Sequence, residues 1–249
     1  MAGLSLAIAL EKHKIPITVY ERAPSFGEVG AGMAFEPTFV RTMELINPEI
    51  KEGFLRCCID KMPDPPKWFD VRISDRRKAD SEGVVWEKKD GTKRKLDEVI
   101  FTIDADHGPR GGIYRAHFLE ELKKLIQPGV ARFGKKLLDV TEAEDGSGDA
   151  VLHFDDGTTA QHTAVIGCDG IKSRTREIVL GKEDARPVYS GKYVYRGTAP
   201  LPDVLQNLGD EELTTPQMYC GHKGHLFTFP IANNTLSTST DRPREISVF

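Results

Sequence analysis

Residues 165–176 read Val165-Ile166-Gly167-Cys168-Asp169-Gly170-Ile171-Lys172-Ser173-Arg174-Thr175-Arg176. An apolar run feeding an Asp-Gly corner and then a cationic helix start is a strand-to-helix turn with binding chemistry. Gly170 lets a ligand approach the backbone, and the Asp169 carboxylate can accept hydrogen bonds there. Ser173 and Arg176 can cap the helix or hold phosphate oxygens near its start. The same residues also suit an acid-capped turn with no ligand. His222 and His225 suit acid–base work or a plain hydrogen-bonded role.

The N-terminus carries a second constellation. Gly3 opens an apolar helical stretch over 3–13, Ile15 to Tyr20 reads as a short buried strand, and Glu21 and Arg22 follow. A dinucleotide-binding unit runs strand, glycine-rich turn, helix, strand, then an acid about 20 residues on for ribose hydroxyls. The helix, second strand and acid are present here, but the first strand and first two glycines are not. Gly3 takes the third glycine's place, the one that permits close helix–strand packing. Any helix–strand pair offers the same pattern.

These segments need elements to position them. A helical pattern resumes over 39–45, and Met62-Pro63-Asp64-Pro65-Pro66 breaks the chain. From Trp68 to about Phe101 the chain is β-like and strongly charged, with strands expected at 68–74 and 84–87 and a hairpin turn at Asp90-Gly91. Residues 114–125 form an amphipathic helix with Phe118, Leu122 and Leu125 on one face. Strands flank 145–148, Asp155-Asp156-Gly157 turns another hairpin, and Thr163 to Cys168 is expected as a buried strand. Trp68, Trp86 and Cys168 are expected as packing residues. Short strands recur at 189–196, 217–220 and 225–230. Mixed α/β first and β-rich later points to two domains interwoven along the chain.

Composition narrows the partners. The 249 residues carry 34 basic and 38 acidic side chains, a net charge of −4. Nothing in that balance favours nucleic acid or an anionic membrane. No apolar window of about 18 residues exists for a membrane span. The apolar start lacks a basic leader and a small-residue cleavage site, so no cut signal is expected. Cys57, Cys58, Cys168 and Cys220 fit no zinc spacing, and the adjacent pair suits no mutual disulfide. A reducing, cytoplasmic setting is the expectation.

Taken in order, the motifs resemble the FAD-dependent aromatic-ring monooxygenases of the para-hydroxybenzoate hydroxylase type, especially the fungal salicylate-hydroxylase-like enzymes. Gly3-Leu4-Ser5-Leu6-Ala7 and Tyr20-Glu21-Arg22-Ala23-Pro24 are similar to the end of that family's glycine-rich unit and its ribose-binding acid. Gly30-Ala31-Gly32, Ile113-Tyr114-Arg115-Ala116-His117-Phe118-Leu119 and the Asp169-Gly170 segment resemble its flavin-contacting stretches. Tyr195-Arg196-Gly197 and His225-Leu226-Phe227-Thr228-Phe229-Pro230-Ile231 resemble its substrate-domain strands.

The resemblance implies a mixed α/β (α+β) fold. A Rossmann-like FAD-binding domain (1–66 and 107–185) would interweave with a β-sheet substrate domain (67–106 and 186–249). It implies cofactor contacts from Gly3, Glu21, Arg22, Gly32, Ala34, Arg115, Asp169 and Gly170, and substrate contacts from Arg196 and Phe229. The implied reaction is hydroxylation of a small phenol or aromatic acid, with NADH or NADPH as reductant and O2 as oxidant. Arg196 is the catalytic candidate, because a nearby guanidinium lowers a phenol's pKa, each unit being about 1.4 kcal/mol.

The sequence departs from that family at both ends, since the first strand, two glycines and a later Gly-Asp motif are missing. Phe229 stands where Tyr is common. The chain is therefore expected to be an internal section of a longer flavoenzyme, holding FAD weakly by itself. Two other readings stay open: a non-catalytic relative or gene-model fragment, and a nicotinamide-dependent dehydrogenase. The latter fits the N-terminal unit but not the Asp-Gly segment.

Overall fold

The computed structural model describes residues 1–27, 32–58, 67–87, 89–104, 111–181, 185–191, 197–200, 215–221, 224–230 and 245–248. In chain order the first elements are α1 (Ala2–Lys12), β1 (Val19–Tyr20), β2 (Gly32–Phe35), α2 (Pro37–Ile46), α3 (Pro48–Cys57) and β3 (Lys67–Ile73). Next come β4 (Val84–Glu87), β5 (Lys93–Lys95), β6 (Val99–Asp104), β7 (Gly111–Tyr114), α4 (Arg115–Lys123), β8 (Ala131–Arg132) and β9 (Leu137–Glu142). The remainder are β10 (Ala150–Phe154), β11 (Thr159–His162), α5 (Arg174–Leu180), β12 (Gly197–Pro200), β13 (Gln217–Gly221), β14 (Gly224–Pro230) and β15 (Glu245–Val248). The mixed α/β character expected from the motifs is what the chain adopts.

The chain divides into two compact units, Met1–Glu28 with Ile46–Ile50 and Leu119–Tyr193, and Val29–Leu45 with Lys51–Phe118 and Val194–Phe249. In the first unit, α1 buries Leu4, Ala7 and Ile8, one helical face spaced i, i+3, i+4. β1 pairs in parallel with β8, Val19 opposite Ala131 and Tyr20 opposite Arg132. Strands β9, β10 and β11 form an antiparallel meander whose inner residues, Leu152 and Phe154, are buried. The Tyr20 ring stacks at 4.8 Å on Phe154, and its hydroxyl lies 2.7 Å from His162 Nε2, which ties β1 to β11.

The second unit has an aromatic core and a larger sheet. Phe35 of β2, Phe54 of α3 and Phe118 of α4 meet edge to face, with centroids 5.5 to 6.2 Å apart. That geometry adds to the area these rings bury. The start of α3 follows from Asn47: its side-chain oxygen accepts the Glu49 N–H at 3.0 Å, and Pro48 has no N–H that needs an acceptor. The six-stranded sheet runs β12-β15-β14-β13-β3-β6, antiparallel except where β13 meets β3. Strand alternation splits it into two faces. Phe69, Val71 and Ile73 share one face with Phe227 and Phe229, whose rings lie 5.6 Å apart.

Several expectations need correction. Thr163–Cys168 is neither a strand nor buried: it has no regular structure, Ile166 is 62% exposed and Cys168 is exposed. Among the described residues no neighbouring strand pairs with it, and an extended segment cannot satisfy its N–H and C=O groups alone. Trp86 is 47% exposed on a two-stranded ribbon, so it is not a core residue. The strand expected over 15–20 shrinks to Val19–Tyr20, because β8 offers only two partners. Residues 189–191 are irregular, 192–196 lie outside the described residues, and the strand there is β12. Helix α3 was not anticipated.

Candidate functional site

In the first unit the Asp-Gly corner is a closed hydrogen-bonding device. Asp169 Oδ1 accepts from Ser173 Oγ at 2.5 Å, and Oδ2 accepts from the backbone N–H of Arg174 (2.7 Å) and Thr175 (3.0 Å) and from Thr175 Oγ1 (3.1 Å). Ser173 in turn caps α5 by accepting the Arg176 N–H at 2.9 Å. Partial burial opposes ionisation of Asp169, but the hydrogen bonds from Ser173 and Thr175 outweigh it and hold the carboxyl below its ordinary range.

Arg176 is a clamp. Its guanidinium donates to the carbonyls of Ala185 (3.0 Å), Gly170 (3.5 Å) and Ile171 (2.5 Å). The cation expected to meet phosphate is therefore occupied by its own loop, as is Ser173. What the corner leaves open is backbone: Gly170 has φ +77°, with nothing within 4 Å of where a Cβ would stand.

The N-terminal constellation converges on the same corner. A Cβ at Gly3 would lie 3.4 Å from Cys168 Cβ, so the first turn of α1 packs directly on the residue before Asp169. At that distance a methyl group would make an ordinary van der Waals contact. Gly167 is tighter still, with a Cβ there falling 2.6 Å from Thr175 Cβ. Glu21 Oε1 accepts the Ala23 N–H at 2.9 Å and fixes the turn after β1, while its other oxygen has no hydrogen bond among the described residues. Arg22 is exposed.

The second unit assembles another set of candidates. Gly32 lies opposite Tyr114 and Ala34 opposite Gly112 in the β2–β7 pair, so the two share one face of the ribbon. Arg115 follows Tyr114 directly as the first residue of α4, one residue beyond the Gly32–Tyr114 pair. Partial burial pulls its guanidinium pKa down by disfavouring the charged form. Phe229 is buried at 4% exposure on the apolar face of the large sheet. His225 is exposed at the start of β14. Gly30, Ala31, Arg196 and His222 lie outside the described residues.

The opposite face of the large sheet holds a polar row that the sequence reading passed over. Thr102, Asp70, Gln217 and Thr228 stand in register across β6, β3, β13 and β14. Asp70 accepts from Thr102 Oγ1 at 2.5 Å, and the fully buried Gln217 accepts from Arg72 Nε at 2.7 Å and donates to the Thr215 carbonyl at 3.1 Å. Buried polar groups persist in such a place because they are mutually satisfied. Alternation in Phe69-Asp70-Val71-Arg72-Ile73 was the available signal.

The first unit thus sets the start of α1 beside the Asp169-Gly170 corner, and the second unit carries a six-stranded sheet. No family model matches the chain. It is 38% identical over 242 residues, 95% of its length, to the FAD-dependent monooxygenase pigN of Monascus ruber. It is 35% identical over 254 residues, 98% of its length, to the 6-methylsalicylate 1-monooxygenase atA of Aspergillus terreus. The aligned parts are 51% and 53% of those proteins, so the chain spans about half the length of the curated relatives it matches. Among solved structures, a salicylate hydroxylase substrate complex matches 99% of this chain and 52% of its own with a TM-score of 0.69, at 24% identity. That likeness shows the fold. The resemblance to FAD-dependent monooxygenases of the salicylate-hydroxylase type therefore holds along nearly the whole chain.

Proposed function

We propose that the chain works as, or within, an FAD-dependent monooxygenase that hydroxylates a small phenol or aromatic acid, using NADH or NADPH and O2. Similarity over 95–98% of the chain to proteins named for that chemistry supports the reading. Within the structure, the observation that carries it is the contact of Gly3 with Cys168, which sets the start of α1 against the Asp169-Gly170 corner.

The residues present fit the cofactor. Gly170 keeps backbone open to a ligand, and the second Glu21 oxygen is an acceptor for a ribose hydroxyl. Within the second unit, taken by itself, Gly32 and Ala34 form a small-residue face of the β2–β7 ribbon. Arg22 adds positive charge beside Glu21, and Asp169 keeps the corner rigid. When bound, FAD supplies the redox chemistry, accepting electrons from the nicotinamide and activating O2. The protein's share is to hold the aromatic ring and favour its phenolate, a role we assign to Arg196, with Phe229 shaping the apolar side. A reducing cytoplasm suits the exposed Cys168 thiol.

Titration with FAD followed by flavin fluorescence, then NADH or NADPH consumption with salicylate or 6-methylsalicylate, tests the reading. The expected result is substrate-stimulated oxidation and a product heavier by one oxygen. Flavin retention without any aromatic-stimulated oxidation would overturn the substrate class. The exposed, unpaired Thr163–Cys168 segment favours a second reading, in which this chain alone holds FAD too weakly to keep it. Loss of all flavin on desalting, with activity restored in a chain extended to the relatives' full length, selects that one.

A further inference from the structure

Charge is distributed very unevenly over this chain. Residues 76–95 contain eight Lys and Arg against four Asp and Glu, whereas residues 137–162 contain seven Asp and Glu and no Lys or Arg. The basic stretch includes the β4–β5 hairpin, a separate two-stranded ribbon turned at Asp90-Gly91. The acidic stretch is the β9–β10–β11 meander of the other unit.

Internal pairing absorbs little of the hairpin's charge. Arg77 is paired to Asp75 at 2.9 Å and Arg94 to Glu98. Arg76, Lys89, Lys93 and Lys95 are exposed and make no ion pair among the described residues. Trp86 stands beside Arg94 in the hairpin register with 47% of its surface open. Lys93 stands opposite Glu87 and Lys95 opposite Val84 on the same ribbon, and an exposed Trp is a residue type enriched at interfaces. On the meander, Glu142 and Glu144 are exposed at the β9–β10 turn and likewise make no ion pair there. Asp145 beside them is held ionised down to about 2, chiefly by its hydrogen bonds to Ser147.

We propose that the β4–β5 hairpin of one copy docks on the acidic β9–β10 turn of a second copy. The occupant follows from complementarity, because one chain carries both a ribbon with exposed lysines that make no ion pair among the described residues and, at the β9–β10 turn, exposed glutamates that make none either. The contact joins unlike patches, so each copy offers one of each and association can continue beyond two. Attraction between exposed charges is screened over about 8 Å at physiological salt, so the association is salt-sensitive.

Sedimentation velocity at tens of micromolar protein tests this in low salt and in ~0.5 M NaCl. Association is expected in the first buffer and loss of it in the second, a comparison that needs no variant. K93E/K95E is expected to weaken association roughly tenfold, and E142K/E144K likewise. Mixing the two variants restores it, because the reversed hairpin then meets the reversed turn. A single monomeric species in low salt would overturn the proposal. So would association indifferent to K93E/K95E, or a mixture no larger than either variant alone.

Discussion

Two acidic residues of the first unit sit at the ends of apolar segments, and the structure uses them in opposite ways. Asp169 accepts four hydrogen bonds, all from its own loop and the start of α5. Glu21 accepts one, from Ala23, and keeps an oxygen without a partner among the described residues. The first carboxylate is invested in shape and the second has capacity to spare. An acid in a binding motif can thus serve the ligand by building the loop rather than by touching the ligand.

The contrast can be broken at the loop first. Gly167→Ala places a methyl group 2.6 Å from Thr175 Cβ, and the branched Thr175 cannot swing aside. We expect a loss of about 2–3 kcal/mol, visible as a lower Tm in thermal unfolding. Unchanged Tm would show that the corner is looser than its hydrogen bonds imply.

Asp169→Asn should cost about 1–2 kcal/mol, the range of a lost helix-start acceptor. The folded-state pKa of Asp169 is depressed, so its stabilisation is fully present above the ordinary carboxylate pKa. It disappears as pH falls through the depressed value. Urea unfolding of both proteins should therefore give a gap that is constant near neutrality and closes below about pH 4. A gap that widens in acid contradicts the assignment.

Glu21→Gln sharpens the other side. It should leave Tm nearly unchanged, because the amide oxygen can still accept from Ala23, yet weaken FAD roughly tenfold by removing a charged acceptor. A large stability loss with unaltered flavin affinity would reverse the roles of the two acids. The smallest effect is expected at Gly3→Ala. A Cβ at 3.4 Å from Cys168 is an ordinary contact, and alanine favours the helix, so Tm should move by less than about 0.5 kcal/mol equivalent. Gly3→Val is the informative extension, since its branches enter the space of Cys168.

Much of this was legible in one dimension. Apolar residues at Leu4, Ala7 and Ile8 announced α1, and Phe118 and Leu122 announced the buried side of α4. Asp-Gly and Gly-rich turns marked the hairpins of β4–β5 and β9–β10 because those conformations are encoded over two or three residues. Thr163–Cys168 was misread for the complementary reason. Its composition is that of a buried strand, but burial and a hydrogen-bonded ladder come from neighbours that local sequence does not specify.

The sequence by itself determined the local devices: the glycine at the start of α1, the acid after β1, the Asp-Gly corner and the charge that separates residues 76–95 from 137–162. Each depends on a few adjacent residues, whose backbone preferences and charges act over one turn. Only the tertiary structure decided that Asp169 and Arg176 turn inward on their own loop, that Gly3 meets Cys168, and that Asp70 and Gln217 share a buried row. The last two depend on which groups far apart in the chain come within hydrogen-bonding or van der Waals reach, and the first on how one loop closes on itself. A buried or occupied polar group is defined by its neighbours, and sequence spacing alone does not name them.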